Sequence, residues 1–207
     1  MKIKVCGMCK PKNIAEIATL NPDYMGFIFY KPSPRFVENL DPVVLDLLPA
    51  NTAKVGVFVD APLDYALQQA ETYRFDFLQL HGHETLDYCA GLKNKYAIIK
   101  TFGIDQKTDF AKISEYENVC NYFLFDTKTE LYGGSGKKFD HSLLDAYRGK
   151  TPFFLSGGIS PHDANIVSHN CSNLCNAIDV NSRFEITPGI KDFNKIKTFI
   201  EIIRNNK

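Results

Sequence analysis

Cys6, Arg35, Asp60, His81 and Asp126 each stand at or shortly after the end of an apolar run of this chain. A thiol, a cation, two acids and a histidine placed in this way suit proton transfer on a bound anion. No cluster of His, Asp and Glu has metal-ligand spacing and no H-E-x-x-H pattern occurs, so an acid–base mechanism without a metal is the natural reading. Two segments near the C-terminus add a different chemistry. Leu155-Ser156-Gly157-Gly158-Ile159 and Asp179-Val180-Asn181-Ser182-Arg183-Phe184-Glu185 each pass from an apolar run into small, polar or glycine residues and then into a helical pattern. Such breaks suit a phosphate cradle, because backbone N–H groups at glycines and helix starts are ready anion ligands.

The elements that must hold these residues recur evenly. Apolar runs rich in β-branched and aromatic residues cover Lys2–Val5, Tyr24–Phe29, Lys54–Val59, Phe77–Leu80, Ala97–Thr101, Tyr122–Phe125, Phe153–Leu155 and Ala177–Val180. Helical spacing lies between them: Ile14, Ile17 and Ala18 share a face, as do Leu63, Ala66, Leu67 and Ala70. Further helical segments are expected over Leu86–Leu92, Phe110–Ile113, Leu143–Tyr147, Ala164–Val167 and Phe193–Ile203. Pro11, Pro42, Pro62 and Pro161 stand where first turns begin, and Ser160 is placed to cap the last of these. Strict alternation predicts parallel strands in one α/β domain over residues 1–207, a single (β/α)8 TIM barrel. An open doubly wound sheet would carry a glycine-rich dinucleotide turn after its first strand, and Cys6-Gly7-Met8-Cys9-Lys10 is not one. In a barrel the strand ends share one rim, and the loops after strands 7 and 8 are the usual phosphate site. The segments Tyr30–Leu40 and Thr127–Lys138 are the longest without periodicity and belong to that same rim.

Each candidate has a plainer role available. Cys6 would also suit the core, Asp126 a turn cap, and His81 a hydrogen bond to a backbone carbonyl. Arg35, inside Pro32-Ser33-Pro34-Arg35-Phe36, sits in a stiffened loop suited to holding an anion in one place. Gly133-Gly134-Ser135-Gly136-Lys137 fails as a P-loop, since Leu131 and Lys138 occupy positions that need Gly and Ser or Thr; a glycine-rich lid over a phosphate fits better. Gly134, Ser135 and Gly136, with Gly157, Gly158, Asn181 and Ser182, are therefore expected to line one phosphate pocket.

Composition narrows the class. The 24 basic and 24 acidic residues cancel and are interspersed, so neither nucleic acid nor a membrane is an expected partner. No apolar stretch has the length of a membrane span and none resembles a signal peptide, which predicts a cytoplasmic protein. The six cysteines are then read as reduced. Cys6 and Cys9 make C-x-x-C and Cys171 and Cys175 make C-x₃-C, but a zinc site would need both pairs to converge from opposite ends of the barrel.

The chain resembles a known family along nearly its whole length. Lys4-Val5-Cys6-Gly7, Gly26-Phe27-Ile28-Phe29 with Ser33-Pro34-Arg35, Val55-Gly56-Val57-Phe58-Val59, Leu78-Gln79-Leu80-His81-Gly82, Gly133-Gly134-Ser135-Gly136-Lys137, Leu155-Ser156-Gly157-Gly158-Ile159 and Asp179-Val180-Asn181-Ser182 are similar, in order and spacing, to the motifs of phosphoribosylanthranilate isomerase. The resemblance is to the monofunctional form. It implies an Amadori rearrangement in tryptophan synthesis, N-(5′-phosphoribosyl)anthranilate becoming 1-(o-carboxyphenylamino)-1-deoxyribulose 5-phosphate. It further implies Cys6 as general base, Asp126 as general acid and Arg35 as the group holding the anthranilate carboxylate. His81 and Asp179 join the expected substrate-binding set, and no cofactor is needed because the substrate's own carbons act as the electron sink. The only expected partner is the small phosphorylated substrate, bound by a monomer or homodimer. Cys6 acts as base only where positive charge favours its thiolate, and Asp126 as acid only where it keeps a proton. Arg183 replaces a smaller residue usual in the family, and Cys9 places a second, oxidisable thiol near Cys6. The alternatives are another phosphosugar isomerase on this scaffold, such as the aminoaldose isomerase of histidine synthesis, and a silent phosphate-ligand-binding barrel. Cys6 and the lack of internal duplication disfavour the first, and the joint presence of Cys6 and Asp126 the second.

Overall fold

A computed structural model of the chain describes residues 1–127, 141–170 and 172–206. Strands β1 (Lys2–Val5), β2 (Tyr24–Ile28), β3 (Ala53–Phe58), β4 (Phe77–Leu80), β5 (Ala97–Ile104), β6 (Tyr122–Thr127), β7 (Phe153–Leu155) and β8 (Cys175–Val180) pair in chain order, and β8 returns to β1. Every pairing is parallel, so the sheet is a closed barrel. All eight expected strands are present, with shifted ends. β5 runs past Thr101 because Phe102, Gly103 and Ile104 find partners in Phe125, Asp126 and Thr127.

Helices α1 (Pro11–Ala18), α2 (Val43–Asp46), α3 (Leu63–Tyr73), α4 (Leu86–Lys93), α5 (Phe110–Ser114), α6 (Ala164–Asn170) and α7 (Phe193–Asn205) lie between or after the strands. Proline begins α1 at its first turn, where a missing N–H costs nothing. Thr85, Asp109 and Asp192 cap α4, α5 and α7 through side-chain oxygens. Ser160 opens the last predicted start signal with a capping box to Asp163, although the first turn there, Pro161–Asp163, is 3-10. The helix expected over Leu143–Tyr147 is instead a 3-10 stretch, His141–Ala146. Tyr147 leaves it to pack its ring 5.2 Å from Phe125 and give its hydroxyl to the Thr151 carbonyl at 3.0 Å.

Alternation along the strands separates two cores. Ile3, Val5, Met25, Phe27, Leu78, Leu80, Phe123, Phe125 and Ile178 belong to the cluster between barrel and helices. Tyr24, Val55, Val57, Ile99, Leu124, Phe154 and Ala177 form a second cluster, the barrel interior, which also contains Cys6. The interior is aromatic near the strand starts, where Tyr24 meets Phe77 at 5.5 Å and Phe154 at 5.0 Å, and Phe154 meets Tyr122 at 5.4 Å. Two residues further along each strand, the same inward positions carry the chemistry: Lys4 and Cys6, Gln79 and His81, Asp126, Ser156, Asp179 and Asn181. The period of two therefore supports a polar mouth on an aromatic plug.

After β8 the chain adds a hairpin, β9 (Glu185–Thr187) with β10 (Ile190–Lys191), which no periodicity in the sequence announced.

Candidate active site

Cys6 follows β1 and is buried among Lys4, Asp179 and Gly26. Lys4 Nζ lies 2.8 Å from Asp179 Oδ1, with the ammonium fully buried and the carboxylate nearly so. Their strands pair with Lys4 opposite Asp179, so adjacency across the β1–β8 seam brings the two side chains together. Gly26 of β2 keeps the corner open, since a Cβ there would stand 2.7 Å from Cys6 Sγ and 3.2 Å from Lys4 Nζ. Burial pushes the Cys6 thiol above the ordinary value, and the Lys4 ammonium partly offsets this. Burial alone would pull Lys4 down, but Asp179 and the Cys6 thiol hold it above the usual lysine value. Asp179 also accepts the Ser156 hydroxyl at 3.2 Å on its other oxygen, so it supports Lys4 and ties β7 to β8.

Asp126 lies in β6, separated from β1 by β7 and β8. His81 faces it, Nε2 to Oδ2 at 3.6 Å, each side chain about a fifth exposed. The other ring nitrogen of His81 meets Gln79 Nε2 at 2.9 Å, so a side chain, and not a backbone carbonyl, fixes the imidazole. Gln79 also reaches Thr101 Oγ1 at 3.4 Å, while its own oxygen is buried without a partner.

The turn after His81 is clamped from outside the barrel. Glu84 pairs with Lys100 at 2.9 Å, both almost fully buried, and accepts the backbone N–H groups of Asp60 and Gly82. Asp60, a rim candidate by position, accepts the His83 N–H at 2.5 Å and faces its ring at 3.2 Å. It is thus part of the scaffold that fixes the His81 loop.

Gly157 and Gly158, after β7, have φ of +96° and +65°, a region that favours glycine. Asn181 and Ser182 follow β8 at the same mouth. The Asn181 side-chain oxygen accepts from Lys191 Nζ at 2.7 Å, and its carbonyl accepts the Phe184 N–H at 3.1 Å. Gly134, Ser135 and Gly136 lie outside the described residues.

Arg35 does not project freely. Its Nε and one Nη form a two-pronged contact with Glu185 of β9, at 2.9 and 2.7 Å, both side chains largely buried. Lys191 of β10 meets the same carboxylate at 2.6 Å, and the Gly189 N–H donates to it at 3.0 Å. Burial works to raise the Glu185 carboxyl, but Arg35, Lys191 and the Gly189 amide hold it below the ordinary value. Burial pulls Lys191 down against Glu185. Gly7, with φ of +77°, lies under Arg35, where a Cβ would come 2.7 Å from Arg35 Cδ and 2.7 Å from Asn181 Oδ1.

Lys4, Gln79, Glu185 and Lys191 escaped the sequence reading as site residues. Lys4 and Gln79 carried a usable signal, each lying two residues before a candidate and so on its face of the strand. Glu185 carried none, because its partner Arg35 is 150 residues away in the chain. The Cys9 thiol lies 3.6 Å from the Gly189 carbonyl, beside the Arg35–Glu185–Lys191 cluster. Among the described residues no three His, Cys, Asp or Glu side chains are grouped to hold a metal ion, and no helix is long and apolar enough to cross a membrane.

The chain is similar to known proteins over its full length. The family model of N-(5′-phosphoribosyl)anthranilate (PRA) isomerase matches residues 3–202. A protein of Parabacteroides distasonis named N-(5′-phosphoribosyl)anthranilate isomerase is 48% identical over 206 residues, covering 98% of this chain and 93% of its own. One of the same name from Phocaeicola vulgatus is 42% identical, covering 99% and 98%. Among solved structures, phosphoribosyl anthranilate isomerase from Thermotoga maritima superposes with a TM-score of 0.86 at 31% identity, covering 99% of each chain. Another superposes with a TM-score of 0.82 at 27% identity and 99% coverage of each chain, and it is in complex with reduced 1-(o-carboxyphenylamino)-1-deoxyribulose 5-phosphate. By the length and identity of these matches, this chain belongs to the phosphoribosylanthranilate isomerase family.

Proposed function

We infer that the protein is an isomerase converting N-(5′-phosphoribosyl)anthranilate to 1-(o-carboxyphenylamino)-1-deoxyribulose 5-phosphate, a step of tryptophan synthesis. The observation that carries the assignment of roles is the inward ring at the barrel mouth, where Cys6 beside an ammonium and Asp126 beside His81 stand on β1 and β6. Asp126 protonates the ribose ring oxygen as the furanose opens, and the anilino nitrogen becomes an iminium. That iminium acidifies the C2′ hydrogen, which leaves as a proton to the Cys6 thiolate, and the C2′–H electron pair forms the enol. The enol then gains a proton at C1′ and loses its hydroxyl proton, giving the ketone and restoring both groups. No atom is gained or lost, and the substrate's iminium is the electron sink, so the reading needs no cofactor.

Lys4 gives the Cys6 thiolate a counter-charge that works against the burial raising the thiol. His81, fixed through its other ring nitrogen by Gln79, lies within reach of Asp126 and orients that carboxyl toward the mouth. Gly157 and Gly158 after β7, with Asn181 and Ser182 after β8, form the phosphate pocket, and Arg35 faces the anthranilate carboxylate. The whole chain acts as one catalytic domain in the cytoplasm, as a monomer or homodimer. Complementation of a tryptophan auxotroph lacking this isomerase tests the reading, with Cys6→Ser as control. Growth restored by the parent and not by the variant is the expected result. No growth with soluble parent protein overturns it.

A further inference from the structure

The hairpin β9–β10 adds no strand to the barrel, yet both of its strands send a charged side chain inward to the site, and both are almost completely buried. We propose that Glu185, held in turn by Lys191, is the positioning residue that fixes Arg35 for recognition of the substrate carboxylate, so that the hairpin forms one wall of the aryl-carboxylate subsite. The proposal rests on the isomerase reading and deepens it.

The geometry has three parts. Glu185 takes Arg35 by Nε and one terminal nitrogen, the planar two-bond match that fixes both distance and orientation. The remaining terminal nitrogen, Nη1, makes no contact within the protein among the described residues, so its donors are left for a ligand. The side chain crosses directly over Gly7, the residue after Cys6, which puts the guanidinium at the edge of the reacting corner. A long arginine free in solvent would lose its rotamer freedom on binding, whereas this one has already lost it in the free protein.

Glu185 is itself over-determined. Lys191 Nζ and the Gly189 N–H approach the same oxygen as Arg35 Nε. Lys191 is fixed by Asn181 Oδ1 at 2.7 Å and, through its backbone, by Asn13 of α1, whose side chain accepts the Lys191 N–H at 2.7 Å and donates to its carbonyl at 2.9 Å. The hairpin is therefore tied to the loop after β8 and to the first helix as well as to Arg35. This is more fixation than a surface ion pair needs, and it converges on the Arg35 guanidinium.

The test compares two ligands that differ only in the carboxylate: reduced 1-(o-carboxyphenylamino)-1-deoxyribulose 5-phosphate and its counterpart with a plain phenylamino group. Dissociation constants are measured for the parent, Glu185→Gln and Glu185→Asp. Glu185→Gln should weaken the carboxylated ligand about 10-fold or more, the scale of one charged hydrogen bond, and change the plain one less than about 2-fold. Glu185→Asp, which keeps the charge on a shorter arm, should fall between the two and carries the test if the glutamine variant does not fold. Equal weakening of both ligands would make Glu185 a structural residue only, and unchanged preference would show that Arg35 needs no such support; either overturns the proposal. A parent protein that does not turn over substrate overturns the isomerase reading itself, a result visible before any Glu185 variant is made.

Discussion

Lys4 and Asp179 are register partners across the β1–β8 seam, and their 2.8 Å ion pair lies buried beside the Cys6 thiol. Burial holds that thiol above its ordinary value and Lys4 works against the shift, so removing the ammonium should move the thiol further up. Base catalysis needs the thiolate, so the rising limb of kcat/KM against pH should move to higher pH in Lys4→Met, with activity at neutral pH falling about 10-fold or more. Removing one partner also strands a buried carboxylate, at a cost of about 3–5 kcal/mol. The double variant Lys4→Met with Asp179→Asn should regain much of that stability without regaining the limb. A pH profile coincident with the parent's would remove Lys4 from the chemistry.

Cys6→Ser preserves size but replaces the thiol with a far weaker acid. Turnover should fall by about 10²–10⁴-fold while the reduced product binds as in the parent. Asp126→Asn should behave alike, and the double variant should lose much less than the product of the two losses if the pair acts as a unit. Near-parental turnover in Cys6→Ser would sink its role as base, leaving His81 as the next candidate.

The loop after β7 provides a steric test. Gly157 has φ of +96°, which a β-branched residue resists, and the proposed phosphate pocket needs its backbone to approach the anion closely. Gly157→Val should raise KM strongly. A folded variant with parental KM excludes this loop from the phosphate site.

The cluster around Arg35 also predicts an acid limit. The Glu185 carboxyl is held below its ordinary value in the folded chain. The unfolded chain therefore takes up this proton first as pH falls, and stability present above the ordinary carboxyl range is lost down through the folded value. Glu185→Gln cannot titrate. Its Tm should fall less than the parent's between about pH 5 and pH 3, as read by thermal unfolding at a series of pH values. A parallel decline in the two proteins would detach Glu185 from acid stability.

The fold was legible because β-branched and aromatic runs alternated with proline-started helical segments, and this local grammar survives folding. The C-terminal rim followed from the strand ends, which is why Cys6, His81 and Asp126 could be named as candidates around one mouth. What escaped depends on pairs distant in sequence. Glu185 was missed because its partner Arg35 is 150 residues away, and the Lys4–Asp179 pair because its members lie 175 residues apart. The hairpin was invisible because its strands are too short to show a period. Leu143–Tyr147 misled because an apolar spacing that suits a helix also suits a 3-10 stretch ended by one anchored ring.

The seam that closes the barrel also sets the order in which the protein can become an enzyme. Cys6 follows the first strand of the barrel, but Asp179 lies in the eighth and Glu185 and Lys191 beyond it, so a fragment that lacks β8 carries the thiol without the surroundings that tune it. Folding of the closing strand and assembly of the Cys6 corner are then a single event, governed by the slow search for contacts between β1 and β8. During refolding, protection of Cys6 from a thiol reagent should appear together with pairing of β8 to β1, and no earlier.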